Sequence, residues 1–207
     1  MTFGTRARIR LGAIQHNFQT LKSMVPGARA MAVVKANAYG HGLVPVVRAL
    51  SEADTLAVAR LAEARQLRDA GVQTDITLLG GVVSADDLAM AIDLGVTVVF
   101  HHQQQIEWAE RFSGRITLAW LKVDTGMGRL GFQPSDAAAA LTRLRGQVDR
   151  LGMLTHFASA DEPELPTTEE QLVAFTKLLD GFDGEVSIAN SAALLGWQES
   201  LAIFDAA

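Results

Sequence analysis

Short apolar runs rich in β-branched residues alternate along this chain with longer segments of helical period. The runs are Ala30–Lys35, Thr55–Ala59, Ile76–Leu79, Val96–Phe100, Ile116–Val123, Gly152–His156 and Val186–Ala189. Near-continuous apolar runs of this length predict strands covered on both faces. Between them, helices are predicted over Leu43–Leu50, Leu61–Ala70, Ala85–Leu94, Gln103–Arg111, Asp136–Arg145 and Glu169–Leu179. Punctuation agrees with that division. Ser84 stands before Asp86 and Asp87 as an N-cap should, and Gly71 and Gly95 follow helical stretches where a left-handed cap is wanted. Ahead of the repeat, Ala7–Leu21 reads as an edge strand over Ala7–Leu11, with Arg8 and Arg10 on a wet face, followed by a helix.

Strands alternating with helices predict βαβ units and a parallel sheet, hence the α/β class. That sheet is either open and doubly wound or closed into a barrel. Units of about 20 to 40 residues and unusual polar residues at the C-terminal ends of many different strands favour the (β/α)8 TIM-type barrel. Seven strands can be counted where a barrel needs eight, so the barrel is expected to be incomplete, with residues 1–207 forming one truncated domain.

Composition narrows the picture further. A hydrophobic fraction of 49% excludes disorder, and an aromatic fraction of only 6% leaves the core to Ala, Val, Leu and Ile. The net charge of −5 offers no basic field to hold nucleic acid or anionic lipid. With no Cys, disulfides, thiolate zinc sites and cysteine nucleophiles are excluded together. The first fifteen residues carry Arg6, Arg8 and Arg10 without a continuous apolar stretch, unlike a signal peptide, and no apolar run reaches the roughly 18–20 residues of a membrane span. The expectation is a cytoplasmic protein without a nucleic-acid or membrane partner, and without a metal.

The densest chemistry lies in Ala32-Val33-Val34-Lys35-Ala36-Asn37-Ala38-Tyr39-Gly40-His41-Gly42. A lysine ending an apolar strand sits on a rigid, buried platform, and burial makes its amine available as a nucleophile or Schiff-base partner. A strand-end lysine reaching to solvent is the plainer alternative. A second block, Leu121-Lys122-Val123-Asp124-Thr125-Gly126-Met127-Gly128-Arg129-Leu130-Gly131-Phe132, ends a strand in two charged residues and enters a glycine-rich turn that aims Arg129 inward. A surface salt bridge beside a tight loop would give the same letters. His156 lies at another strand end, where a satisfied structural histidine is the commoner case. Asn190 and Ser191 precede a small-residue helix, as a local cap does and as a phosphate contact also would. His41, His101 and His102 have no companions at metal-ligand spacing and read as loop residues, and Leu78 or Leu79 before Gly80 is placed to touch a ring.

The strings AVVKANAYGHG and KVDTGMGRLG resemble the two signature blocks of alanine racemases, which are fold-type III pyridoxal-phosphate enzymes. The resemblance implies that Lys35 forms the internal aldimine with pyridoxal 5'-phosphate and serves as one of two catalytic bases. It also implies that Tyr39 bonds the cofactor phosphate. By the same match Arg129 bonds the cofactor's phenolic oxygen and helps place the substrate carboxylate, and Lys122 is the family lysine often carbamylated beside that arginine. His156 would lie beneath the cofactor ring, with Ser191 touching phosphate and Asn190 supporting it. The acidic loop Asp161-Glu162 resembles the family's as well, and reads as solvated.

The implied reaction is interconversion of L- and D-alanine in a homodimer that supplies D-alanine for peptidoglycan. In the family the second base is a tyrosine of the partner subunit's C-terminal β domain, and this chain has one tyrosine, Tyr39. No arginine follows Arg150, so the family's arginine facing the pyridine nitrogen has no match either. The chain is therefore expected to be the first half or so of a family member, inactive alone. A serine or broad-specificity racemase, and a non-catalytic single-domain pyridoxal-phosphate-binding protein, are the alternatives.

Overall fold

The computed structural model describes residues 4–197. The N-terminal helix α1 (Leu11–Ser23) is followed by β1 (Met31–Val33), the short turn of helix α2 (Lys35–Tyr39) and α3 (Leu43–Ala49). Regular alternation then sets in: β2 (Thr55–Val58), α4 (Leu61–Asp69), β3 (Ile76–Leu78), α5 (Ala85–Asp93), β4 (Val96–Phe100) and α6 (Gln103–Arg111). It continues through β5 (Ile116–Lys122), α7 (Pro134–Arg145), β6 (Val148–Leu154), α8 (Thr167–Leu178), β7 (Val186–Ser187) and α9 (Ser191–Gly196).

The seven strands pair in sequence order, every pair parallel, in a curled sheet that forms part of a barrel. Among the described residues β1 and β7 are the two open edges. One strand face carries Leu56, Val58, Ile76, Leu78, Val98, Phe100, Leu121 and Met153 into a core closed by Leu67, Leu88, Ile106, Leu144 and Phe175 of the helices. Each such side chain contributes about 1.5–3 kcal/mol by leaving water. The opposite face holds a smaller cluster, Met31, Leu79, Val99, Trp120 and Leu154, inside the curl. Trp120 fits there because its cross-strand neighbour is Gly152, where an added Cβ would meet the indole ring.

Three sequence expectations change. Ala7–Leu11 is not a strand: residues 7–10 are exposed and irregular, and Leu11 already belongs to α1. With Arg8 and Arg10 between Ile9 and Leu11, the segment has too little apolar surface to earn a place at a sheet edge, whereas Ile14 and Phe18 of α1 pack on the core. Strand β6 begins at Val148, four residues before the expected Gly152, because Asp149 and Arg150 hide it in the hydrophobic pattern. They pair with Arg115 and Glu185 at the N-terminal rim. Finally, β1 stops at Val33, so Lys35 does not end a strand. The predicted caps are present: Ser84 Oγ accepts the Asp87 N–H at 3.0 Å, and Gly71 and Gly95 have φ of +79° and +61°.

Candidate active site

Lys35 opens a turn of the wrong hand. Ala36, Asn37 and Ala38 lie at φ/ψ of 54/51°, 56/45° and 52/50°, and Tyr39 follows at φ +53°. The left-handed helical conformation costs an L-residue about 1–2 kcal/mol, and here four non-glycine residues adopt it in succession. Small side chains at Ala36 and Ala38 limit the clash, and Asn tolerates the region better than most residues. Three sets of bonds hold the turn. The Asn37 carboxamide oxygen accepts the Leu43 N–H at 2.8 Å, and the His41 Nδ1–H donates to the Ala38 and Tyr39 carbonyls at 3.0 and 3.1 Å. The third comes from outside the motif: Glu63 Oε1 accepts the N–H of Ala36 at 2.6 Å and of Asn37 at 3.4 Å. Lys35 itself is half-buried, and the Tyr39 side chain is 59% exposed.

The buried amine expected at Lys35 belongs instead to Lys122, which is 8% exposed at the end of β5. It shares the inner face with Trp120, two residues before it. Burial first, and then the neighbouring charge of Arg129, push its ammonium down to about 8, with Lys35 acting in the same direction and Asp124 against it. The loop that follows is organised by Asp124. Its Oδ1 accepts the N–H of Gly126 and Gly128 at 3.1 and 3.0 Å, and its Oδ2 accepts that of Arg129 at 3.1 Å. Gly126, Gly128 and Gly131 take φ of +144°, +72° and +132°, which their lack of a Cβ permits. Burial works to raise the Asp124 carboxyl, but the surrounding N–H donors outweigh it and hold it below the usual carboxylate range. Arg129 is exposed at the rim rather than turned into the interior.

His156 lies just beyond β6, half-buried, and burial assisted by the charges of Lys122, Arg129 and Lys35 pushes it down to about 4. Its imidazole is therefore neutral at physiological pH. Buried Gln171 of α8 holds this strand end: its Nε2 donates to the His156 carbonyl at 3.0 Å and to Thr125 Oγ1 at 3.2 Å, while its Oε1 accepts the Ala158 N–H at 2.9 Å. Asn190 is the N-cap of α9, its Oδ1 accepting the Ala193 N–H at 2.9 Å, and Ser191 is exposed beside it. His101 donates from Nε2 to the Gly80 carbonyl at 3.0 Å and His102 caps α6, so both are used by the strand-end loop. Leu78 faces the helices, whereas Leu79 joins the inner cluster.

The two ends of the sheet differ sharply in charge. At the N-terminal rim Arg29 and Arg150 share Glu185, Arg115 holds Asp149 and Arg145 holds Asp183. At the C-terminal rim no ion pair among the described residues involves Lys35, Lys122 or Arg129. The nearby carboxylate, Asp124, is 9% exposed and committed to backbone N–H groups. Three cations without ion-pair partners around a neutral imidazole suit an anionic ligand. Among the described residues no group of three or more His, Asp or Glu is placed to hold a metal ion, and no helix is long and apolar enough to cross a membrane.

Glu63, Gln105 and Gln171 support this rim and were not picked out in the sequence. Gln105 accepts the N–H of His101 and His102 and donates to the Val82 carbonyl at 3.0 Å. Glu63 and Gln105 share a signal, a Glu or Gln in the first turn of a helix soon after a strand end, able to reach back to free backbone groups. Gln171 lies further into α8 beyond a long loop and carries no such signal.

The arrangement has close counterparts. The chain is 46% identical over 196 residues to a protein of Pseudomonas aeruginosa named alanine racemase, catabolic, covering 93% of this chain and 55% of that protein. It is 46% identical over 198 residues to an alanine racemase of Azoarcus sp., covering 94% and 56%. The solved biosynthetic alanine racemase of Pseudomonas aeruginosa superposes with a TM-score of 0.87 at 43% identity, over 92% of this chain and 54% of that one. The chain thus spans about half the length of the relatives it matches. The fold held in common is the TIM-barrel domain, represented here by its N-terminal part. Residues 9–207 match the alanine racemase N-terminal domain, and the chain belongs to that family.

Proposed function

We propose that this chain is the cofactor-carrying part of a pyridoxal-phosphate-dependent isomerase that interconverts L- and D-alanine. The observation that carries the reading is the cluster of Lys35, Lys122 and Arg129 at one rim without acidic partners. When bound, pyridoxal phosphate supplies an electron sink that acidifies the α-hydrogen of an amino acid. Lys35 would hold the cofactor covalently through Nζ, and the same amine would take and return the α-proton on one face. Arg129 would face anionic oxygen of cofactor and substrate, while Tyr39 and Ser191 would meet the phosphate, with Asn190, the N-cap of α9, in support. Neutral His156 would lie under the ring. Lys122, whose amine is held near 8, is neutral often enough to take up carbon dioxide as a carbamate, which Arg129 would attract where it repels the ammonium.

Inversion needs a second base on the opposite face. By the family resemblance the opposite base would be a tyrosine of the partner subunit in a homodimer, while Tyr39, the one tyrosine of this chain, is in the same turn as Lys35. Taken alone, the 207-residue chain would bind the cofactor and leave alanine unracemised. The family and the names of the relatives support alanine as substrate; the cytoplasmic role in supplying D-alanine to peptidoglycan rests on the family resemblance alone. The relative named catabolic favours a second physiological reading, in which the reaction serves the breakdown of alanine.

The test is spectroscopic. Adding pyridoxal phosphate to the purified chain should give the yellow absorbance of lysine-bound cofactor, and Lys35→Ala should lose it. An unchanged spectrum in Lys35→Ala would refute the assignment, and racemisation of alanine by the chain alone would refute its dependence on a second base.

A further inference from the structure

The unusual turn that carries Lys35 is held to the neighbouring strand by one carboxylate. Glu63 lies in the first turn of α4, and its two oxygens divide their work between two segments. Oε1 accepts the N–H of Ala36 and Asn37, the first two left-handed residues, at 2.6 and 3.4 Å. Oε2 accepts the N–H of Ala59 and Arg60, just beyond β2, at 3.0 and 3.1 Å. The leading N–H groups of a helical turn have no partner within it, so they need an outside acceptor. A charged acceptor makes the stronger bond. Val34 N–H donates to the Ala57 carbonyl at 2.8 Å, so ordinary sheet pairing continues up to the point where Glu63 takes over.

We infer that Glu63 is a positioning residue for Lys35: by clamping the left-handed turn to the end of β2, it fixes the direction in which the lysine leaves the sheet. This rests on the reading of Lys35 as the cofactor lysine, but the clamp can be measured without cofactor. Glu63 acts through the backbone of Ala36 and Asn37. A carboxamide offers one accepting oxygen for four N–H groups, so Glu63→Gln can serve one segment at a time. Glu63→Asp keeps the charge beside the start of α4 but shortens the reach by one methylene.

Two measurements on the 207-residue chain decide the matter. Amide hydrogen exchange of the cofactor-free chain should show residues 34–42 exchanging about tenfold faster or more in Glu63→Gln and in Glu63→Asp, with β4 to β6 unchanged. Trapping with pyridoxal phosphate and borohydride, read by peptide mass, should show slower labelling of Lys35 in both variants. Wild-type exchange across 34–42 in either variant would overturn the clamp, and restoration by Asp alone would reduce Glu63 to a helix-end charge. Faster exchange with undiminished trapping would overturn the link to Lys35. If Glu63→Gln fails to fold, Glu63→Asp carries both measurements. A wild-type chain that traps nothing at Lys35 would instead refute the cofactor reading and the positioning role together, with exchange still reporting whether the clamp exists.

Discussion

Two loops at the C-terminal rim solve the same problem differently. The segment after β1 and the segment after β5 each carry a cation to the sheet's edge, and each relies on one carboxylate to receive backbone N–H groups. In the β5 loop the carboxylate is Asp124, two to five residues from its donors, and glycines take the positive φ angles. In the β1 turn the carboxylate is Glu63, 26 and 27 residues away, and alanine, asparagine and tyrosine take the positive φ angles. The first loop is built from local, unstrained parts. The second is strained locally and secured by the neighbouring βα unit.

The largest effect is expected where the glycine-built loop is most crowded. An Ala at Gly131 would combine a φ of +132° with a Cβ 2.5 Å from Asp124 N and 2.7 Å from Val123 C. Neither backbone atom can retreat, so Gly131→Ala should lose about 3 kcal/mol in urea unfolding. A loss below about 1 kcal/mol would show that the loop is pliable and the contrast with the β1 turn overdrawn.

Asp124→Ala should cost about 2 kcal/mol at neutral pH by leaving three N–H groups without their charged acceptor. The pH dependence has a definite sign. Asp124 is held below the ordinary carboxylate range, so its contribution is complete above the unfolded value of about 3.9 and fades as pH falls through the lower folded value. The gap between variant and wild type should therefore close in acid, and a gap that persists there would show that packing, not the carboxylate, organises the loop.

Smallest of the three is Ala36→Gly in the other loop. Glycine removes a left-handed penalty of about 1–2 kcal/mol but gives back about 0.4–1 kcal/mol of unfolded-state entropy. Stability should rise by no more than about 1.6 kcal/mol. A clear loss would mean that the Ala36 methyl group is needed, and that the turn is supported by packing rather than by Glu63.

The same contrast explains what could be read from the letters. Asp124 with Gly126, Gly128 and Gly131 announces a turn, because donor, acceptor and flexible residues are neighbours in sequence. Seven strands and their helices were legible for a similar reason: runs such as Val96–Phe100 and Gln103–Arg111 carry their periodicity within themselves. Asp149 and Arg150 broke that pattern, and four residues of β6 were lost with it. The left-handed turn was invisible because Ala36, Ala38 and Tyr39 give no hint of positive φ, and the acceptor that stabilises it stands on another helix. The motif singles out Lys35, yet the buried amine is that of Lys122, since strand alternation past Trp120 turns it inward. Charge pairing at the opposite rim depends on partners such as Arg29 and Glu185, 156 residues apart, and only the folded sheet brings them together.

The turn after β1 also has a stereochemical consequence. A backbone at φ 54°, ψ 51° is the mirror image of ordinary right-handed helix, so what strains an L-residue is the preferred state of its D-enantiomer. Ala36 is exposed and could exchange its methyl and hydrogen positions with little loss of packing, whereas Ala38 is buried and could not. For those few residues the chain is folded as though it were made of the opposite hand.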